Sequence, residues 1–376
     1  MNKKIIFSAG GTGGHIFPAI NLMKHFLSKE YQVLLVTDNR GNNFIKNNSK
    51  FRSYILKTST PTHKNLFRKF FSYFLIFFSI IKLIFIIKKE KPDLVFGMGG
   101  YVSFPISFAS KFFRLPLVIY ESNIIMGRAN KFLLPFSSKI FSAREILIID
   151  LKKGKFPDKY KNKLSIVGAV LDKKITNYVP KKITNEKKDF SILVLGGSQG
   201  AEIFGRVVPK VIKMLKEKNF KIGIMQQCTK NQKDEIKKFY EKNNIKNYVF
   251  EFDKDILNLM SSSNLAITRC GATTTAELAQ TKTPFIAVPL PNSIDNHQLF
   301  NARYYESRFC CWILEQKEIL HSQRSFNEKN LYDLIVDIIE KKNRLETKRV
   351  QEFMKQISNK NVYQNIENEI KKFYEN

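Results

Sequence analysis

The sequence predicts an α/β protein made of two consecutive open sheets. Three observations carry this. A strand, a glycine-rich turn, a helix and a second strand follow one another from residue 3; short apolar runs bounded by Gly, Ser and Pro recur after them; and the alternation restarts at residue 190 beyond a lysine-rich interval. The 376 residues, at about 150 per domain, leave room for about two domains. Hydrophobic residues at 43% and aromatic residues at 13% supply two cores and exclude a disordered or collagen-like chain.

In order, KKIIFS (3–8) reads as a short buried strand followed by the glycine run. From Pro18 to Lys29 the apolar residues Ile20, Met23, Phe26 and Leu27 fall at helical spacing. YQVLLVTD then supplies the second strand of a βαβ unit, continued by DLVFGMGG (93–100), LPLVIYES (115–122) and KIFSA (139–143). The lysine-rich stretch from Lys152 to Lys188, with Pro157 and Pro180, marks the boundary region. Beyond it FSILVLGGSQGA (190–201), FKIGIMQQ, NYVFEF, NLAIT and TPFIAVPL are the strands of the second half. The tail spaces Val362, Ile366, Ile370 and Phe373 as one face of a terminal amphipathic helix.

Lys+Arg at 63 against Asp+Glu at 33 gives a net charge of +30, which calls for an anionic counterpart: nucleic acid, lipid headgroups or phosphorylated substrates. Composition does not choose among them: much of the excess is lysine scattered beside Asn and Ile, not one Arg-rich block or basic residues interleaved with stacking aromatics, and diffuse lysine enrichment is the plain alternative. The apolar run 70–87 is 18 residues long, close to bilayer thickness. Strands on either side of it read as members of one sheet, so it is expected to be an interfacial or half-buried helix offering one face to an anionic membrane surface. Basic residues flank it (Arg68, Lys69, Lys88, Lys89, Lys91). The four cysteines form no C-x-x-C pair and have no His at zinc-finger spacing, so neither a disulfide framework nor a structural zinc is expected. The opening residues are too short in apolar content for a signal peptide, and a reducing cytoplasm fits best.

Gly10-Gly11-Thr12-Gly13-Gly14-His15 lies between a strand and a helix, where backbone N–H groups at a positive helix end bind anions. The alternative is a tight turn without a ligand. It is not the dinucleotide fingerprint, since the third glycine would fall on Ile16, although Asp38 at the end of the second strand could still serve as a ribose-binding acid. Gly97-Met98-Gly99-Gly100-Tyr101 and Gly196-Gly197-Ser198-Gln199-Gly200 repeat the pattern, and loops at strand carboxyl ends gather where open sheets bind ligands. One phosphate loop in each half suggests two phosphorylated substrates. Arg269-Cys270-Gly271-Ala272-Thr273-Thr274-Thr275-Ala276-Glu277, followed by His297 and Gln298, adds another helix start; Glu277 can accept two sugar hydroxyls, or be a solvated surface carboxylate.

GGTGGHIFPA, GMGGYVSFP, ESNIIMGRAN, GGSQGA and RCGATTTAELA…PFIAVPLP…NHQLFNA, in that order, resemble the MurG family, bacterial transferases that convert lipid I to lipid II in peptidoglycan synthesis. The resemblance covers nearly the whole chain. It implies the GT-B fold, two Rossmann-like domains facing a cleft: residues 1–168 on the acceptor and membrane side, 169–355 binding UDP-GlcNAc, and a terminal helix at 356–376 packing back on the first domain. It also implies an inverting glycosyltransferase without metal or cofactor, peripheral on the cytoplasmic face of the bacterial inner membrane. Its substrates would be UDP-GlcNAc and undecaprenyl-diphosphate-MurNAc-pentapeptide (lipid I), with no nucleic acid partner.

By the same resemblance Thr12, Gly13, Gly14 and Asn123 lie at the sugar and reaction centre, with Gly99, Gly100 and Tyr101 in an acceptor-side loop. Ser198 and Gln199 meet the donor diphosphate, Glu277 the uridine ribose, and His297 with Gln298 the sugar hydroxyls. His15 is the candidate general base, its ordinary pKa near 6.5 suiting the task; fixing the loop or binding the acceptor are equal alternatives. Where the family reads V-G-N-P-V-R this chain has Val167-Gly168-Ala169-Val170-Leu171-Asp172, an acid in place of an arginine expected near the donor diphosphate; Lys173, Lys174 or Arg206 are the candidate substitutes. Two readings from other classes stand beside it, a dinucleotide-dependent oxidoreductase built on the first glycine loop and Asp38, and a non-catalytic protein binding anionic surfaces.

Overall fold

A computed structural model describes residues 3–11, 13–45, 51–56, 66–145, 148–149, 156–178, 189–197, 201–319, 327–340, 352, 354 and 361–375. The chain divides into two compact units, residues 1–173 with 359–376, and residues 174–358.

In the first unit seven parallel strands form one sheet in the order β3-β2-β1-β4-β5-β6-β7. They are β1 (Lys4–Ser8), β2 (Gln32–Thr37), β3 (Arg52–Ile55), β4 (Leu94–Gly97), β5 (Leu117–Glu121), β6 (Lys139–Ser142) and β7 (Leu164–Ile166). Central strands of a sheet covered on both faces should be continuously apolar. Accordingly Ile5, Ile6, Phe7, Val95, Phe96, Val118 and Ile119 are fully buried. The order reverses between β1 and β4, so the loops leaving these two strands, both glycine-rich, are brought side by side at the switch point.

Helix α1 (Gly13–Leu27) begins five residues earlier than the apolar spacing suggests. The glycines enter its first turn, and Pro18 falls inside it, where its missing N–H leaves the Gly14 carbonyl without a helical partner. Helix α2 (Asn39–Ile45) follows β2, and α3 (Leu66–Glu90) returns the chain from β3 to β4. Helix α4 (Ser103–Phe112) packs along α3.

The run 70–87 lies within α3, and the Phe70–Glu90 segment is long and apolar enough by composition to cross a membrane, its 18-residue apolar window having a mean hydropathy of 2.5. Its burial is inverted relative to a solvated helix. Ser72, Ser79, Leu83, Ile86, Ile87 and Glu90 face inward, whereas Phe70, Phe71, Tyr73, Phe74, Phe77, Phe78 and Phe85 are more than half exposed. Both its ends belong to one sheet, which fixes it as a half-buried crossover helix of this unit.

The terminal helix, Val362–Glu375, belongs to the first unit and contacts α1; Val362, Ile366 and Ile370 are buried, as their spacing predicts. The expected helical residues 356–360 lie outside the described ones.

The second unit holds six parallel strands in the order β10-β9-β8-β11-β12-β13, comprising β8 (Phe190–Leu195), β9 (Ile222–Gln227), β10 (Lys246–Phe250), β11 (Leu265–Thr268), β12 (Phe285–Ala287) and β13 (Cys311–Ile313). Its switch point lies between β8 and β11. The loop of Gly196-Gly197 and the Arg269-Cys270-Gly271 turn therefore leave adjacent strands.

Three strands escape the sequence pattern, β3 (RSYI), β7 (LSI) and β13 (CWI), and all three lie at sheet edges. An edge strand bonds on one side only and is kept short and partly polar, so its apolar signature is weak.

Candidate functional site

In the first unit the site is built on the loops after β1, β4 and β5. Gly11, Gly99 and Gly100 have φ of +82°, +90° and +78°, a left-handed conformation that a side chain would strain. Space is equally restrictive. A Cβ at Gly99 would lie 3.0 Å from Cε1 and Nδ1 of His15, and one at Gly100 would lie 3.4 Å from His15 Cδ2 and 3.0 Å from the Gly10 carbonyl oxygen. The second glycine loop thus forms a wall against which the His15 imidazole lies. Met98 N–H donates to the Ser8 carbonyl at 2.8 Å, and the Ser103 hydroxyl donates to Ser8 O at 3.0 Å and Gly99 O at 2.8 Å, tying this loop to the end of β1.

The Asp38 carboxylate is buried between the two loops. It accepts from Gly41 N–H at 2.7 Å, from Gly11 N–H at 3.2 and 3.3 Å, and from the Tyr101 hydroxyl. Burial, reinforced by this carboxylate, pushes the Tyr101 phenol far up, so it stays a protonated donor. Asp38 therefore holds the loops together and has no face left for a ribose, which corrects the dinucleotide reading.

Glu121, at the end of β5 and also buried, organises the third loop. One carboxylate oxygen accepts from Asn123 N–H at 3.0 Å and Asn123 Nδ2 at 3.1 Å. The other accepts from Gly127 N–H at 2.8 Å and Asn130 Nδ2 at 2.9 Å. Asn130 Nδ2 would sit 3.7 Å from a Cβ at Gly99, so the Glu121 network abuts the His15 wall. Gly13, Gly14, His15, Asn123, Gly99, Gly100 and Tyr101 are thus gathered at one sheet end, Gly14 exposed and His15 half-buried. Thr12 lies outside the described residues. Asn130 was not singled out by the sequence; a buried acid closing a strand nine residues earlier was the available signal.

In the second unit Gly197 has φ of +78°, and no atom of the described residues lies within 4 Å of the position a Cβ would take there; Gly196 N–H donates to Gln227 Oε1 at 3.1 Å. Ser198 and Gln199 lie outside the described residues. Gly271 is the N-cap of the helix Ala272–Thr281 and no side-chain hydrogen bond caps it, which leaves the first-turn amides at the positive end of the helix dipole. Glu277 is half-buried on this helix.

Gln298 and Asn301 fix the turn. Gln298 Oε1 accepts from Cys270 N–H at 3.1 Å and Leu290 N–H at 3.0 Å, and Asn301 Nδ2 donates to Cys270 O at 3.1 Å. His297 Nδ1 sits 2.8 Å from the Ile294 carbonyl, which directs Nε2 away from it. Arg269 is buried; it donates to the Val288 and Pro289 carbonyls, both at 3.1 Å, and to Gln316 Oε1 at 2.6 Å, and lies over Phe204. It braces the turn from behind.

Asp172 falls in the first unit and places its charge near the Tyr363 hydroxyl of the terminal helix. Of the candidate substitute cations, Lys173 covers the Tyr363 ring at 5.3 Å and Arg206 reaches Glu202 at 3.6 Å.

Two doubly wound parallel sheets, each with glycine-rich loops at its switch point, are the arrangement of the GT-B fold. Residues 5–142 match the glycosyltransferase family 28 N-terminal domain and residues 191–366 match its C-terminal domain. The chain is 37% identical over 367 residues to the UDP-N-acetylglucosamine–N-acetylmuramyl-(pentapeptide) pyrophosphoryl-undecaprenol N-acetylglucosamine transferase of Pelagibacter ubique, covering 97% of each protein. It is 35% identical to the enzyme of the same name from Rickettsia bellii, covering 95% of this chain and 98% of that one. The crystal structure of Acinetobacter baumannii MurG superposes with a TM-score of 0.79 at 25% identity, covering 98% and 99% of the two chains. A UDP-GlcNAc 2-epimerase from Neisseria meningitidis shares the fold alone, with a TM-score of 0.64 at 14% identity over 98% of this chain and 100% of that one. The chain belongs to glycosyltransferase family 28 and, within it, to the MurG family; it is a hexosyltransferase.

Proposed function

We propose that this chain moves N-acetylglucosamine from UDP-GlcNAc to the 4-hydroxyl of MurNAc-pentapeptide on undecaprenyl diphosphate, with inversion at the anomeric carbon. The observation that carries the reading is His15, which follows the first glycine loop and lies against the second at the switch point of a unit that matches the family's N-terminal domain. In this reading His15 takes the proton from the acceptor hydroxyl as that oxygen attacks the anomeric carbon, and the bond to the UDP oxygen breaks. Gly13 and Gly14 amides and Asn123 position the acceptor sugar and its diphosphate. In the second unit Glu277 accepts two ribose hydroxyls of uridine, the uncapped amides at 272–274 stabilise the departing diphosphate, and Gln298 with His297 orients the GlcNAc hydroxyls. Thr12 at the acceptor sugar and Ser198 and Gln199 at the diphosphate complete the assignment.

The reading also places the enzyme on the cytoplasmic face of the bacterial inner membrane. Supporting it are the outward phenylalanines of α3, continued by Phe112 on α4 and Phe132, beside the exposed Lys88 and Lys89. Such a face loses apolar hydration by entering an anionic headgroup layer.

The test is transfer of labelled GlcNAc from UDP-GlcNAc to a short-chain lipid I analogue with EDTA present, comparing the wild type with Glu277→Ala and His15→Ala. Product from the wild type and loss in both variants is the expected result. No product from folded protein beside a working control enzyme overturns the assignment.

A further inference from the structure

Asp38 has no partner in the chemistry above, yet its carboxylate accepts hydrogen bonds from both glycine loops of the first unit. We propose that Asp38 is a positioning residue for the transfer: its carboxylate ties Gly11 to Tyr101 and so fixes the spacing of the two loops that hold the His15 imidazole. The proposal rests on the reading of His15 and its loops as the acceptor-side site.

The geometry argues for it in three ways. The carboxylate takes hydrogen bonds from three separate segments, the loop after β1 through Gly11, the start of α2 through Gly41, and the loop after β4 through Tyr101. An ionised carboxylate has lone pairs for all of these at once, whereas a hydroxyl or a single carbonyl oxygen has not. The residues around it leave it no slack. A Cβ at Gly10 would lie 3.2 Å from Asp38 Oδ1 and 2.4 Å from Val102 Cγ2, and a Cβ at Gly41 would lie 3.1 Å from the same carboxylate oxygen. Finally, Tyr101 follows directly on Gly99 and Gly100, whose left-handed backbone forms the wall against His15. Releasing the Tyr101 hydroxyl therefore releases the wall.

A plain structural role also exists, because Asp38 precedes α2 and its bond to Gly41 N–H is a helix N-cap. The two roles separate by substitution. Asp38→Ser keeps a capping hydroxyl but is too short to bridge Gly11 and Tyr101. Asp38→Asn keeps both the cap and the reach, its amide nitrogen meeting the Tyr101 oxygen as donor.

Steady-state transfer to the lipid I analogue is measured for Asp38→Ser, Asp38→Asn, Tyr101→Phe, the Asp38→Ser/Tyr101→Phe double variant and His15→Ala, with thermal melts of each. Asp38→Ser is expected to lower kcat by about 10- to 100-fold, the scale of a misplaced catalytic group, with KM for UDP-GlcNAc unchanged and the variant still folded at the assay temperature. Asp38→Asn recovers most of that rate, and the double variant is no slower than Asp38→Ser alone. Full rate in Asp38→Ser beside a slow His15→Ala overturns the positioning role, as do losses that multiply in the double variant. Full rate in His15→Ala sinks the underlying reading of the site instead. Should Asp38→Ser fail to fold, Tyr101→Phe breaks the same tie, and its kcat against an unchanged donor KM decides the matter.

Discussion

His25 and Glu367, 342 residues apart in the chain, meet in a buried pair with Nε2 and Oε2 separated by 3.0 Å. His25 sits at the far end of α1 from His15, and Glu367 lies on the terminal helix, so this contact closes the first unit on itself. His25 Nδ1 has no hydrogen-bond partner among the described residues, which fits a neutral imidazole donating through Nε2. Around the pair, Tyr363 lies at 5.1 Å from the His25 ring, Lys371 reaches the other Glu367 oxygen at 2.8 Å, and Lys29 and Lys173 add positive charge.

Acid should undo this closure. Burial lowers the His25 pKa below its ordinary 6.5, outweighing the hydrogen bond to Glu367. The unfolded chain then takes up a proton that the folded chain resists, so stability is lost as pH falls below 6.5. For Glu367, burial opposes ionisation, but hydrogen bonds from Lys371 and His25 hold its pKa below the ordinary 4.5; its contribution is present above that value and is lost as pH falls through the lowered one. Both groups act in the same direction. Thermal melts from pH 7.5 downward should show a falling midpoint that flattens in His25→Gln between pH 7 and 6; parallel curves for the two proteins would falsify the assignment. Glu367→Ala, leaving a buried N–H without an acceptor, should lose about 1–3 kcal/mol.

Gly99→Ala should slow transfer far more than Gly97→Ala. At Gly99 the added methyl meets the His15 ring at 3.0 Å in a backbone of φ +90°, whereas at Gly97 the nearest atoms are at 3.6 Å, ordinary van der Waals contact. The strained backbone alone is worth about 1 kcal/mol, and a displaced imidazole adds a loss of about tenfold or more in kcat. Equal rates for the two variants would remove His15 from the chemistry.

Glu277→Ala should reduce kcat/KM for UDP-GlcNAc by about 100-fold, the equivalent of one to two hydrogen bonds to a charged group. Because Glu277 lies in the second unit, isothermal titration of the nucleotide alone reads the effect without the acceptor. Unchanged UDP affinity would move the ribose contact elsewhere.

Replacing Phe74 and Phe77 together by Ser should leave the melting temperature nearly unchanged, since both rings are more than half exposed. Sedimentation with vesicles containing anionic phospholipid should show weakened binding in that variant. Binding to the anionic vesicles that is lost in high salt, with no effect of the two substitutions, would assign membrane contact to lysines instead of α3.

Both sheets were legible because buried parallel strands write themselves as unbroken apolar runs, as in KKIIFS and FSILVL. The glycine clusters were legible because four glycines in one turn serve backbone approach and little else. Polar residues inside the loops were harder to read. Asp38 read as a ribose acid because it ends a strand where such an acid stands, and only its neighbours in space show the carboxylate committed to Gly11, Gly41 and Tyr101. Arg269 stood beside the candidate donor residues in the motif but is turned into the protein, onto the Val288 and Pro289 carbonyls.

By itself, then, the sequence determined the fold class, the order of the elements, the family and the loops proposed to carry its chemistry, since each is written in local periodicity and in motifs a few residues long. The tertiary structure decided which partners those residues have: that the switch point sets His15 against Gly99 and Gly100, that Glu121 gathers Asn123 and Asn130, and that His25 meets Glu367. Hydrogen-bond partners are chosen by distance in space, and for polar side chains distance along the chain carries almost no information about it.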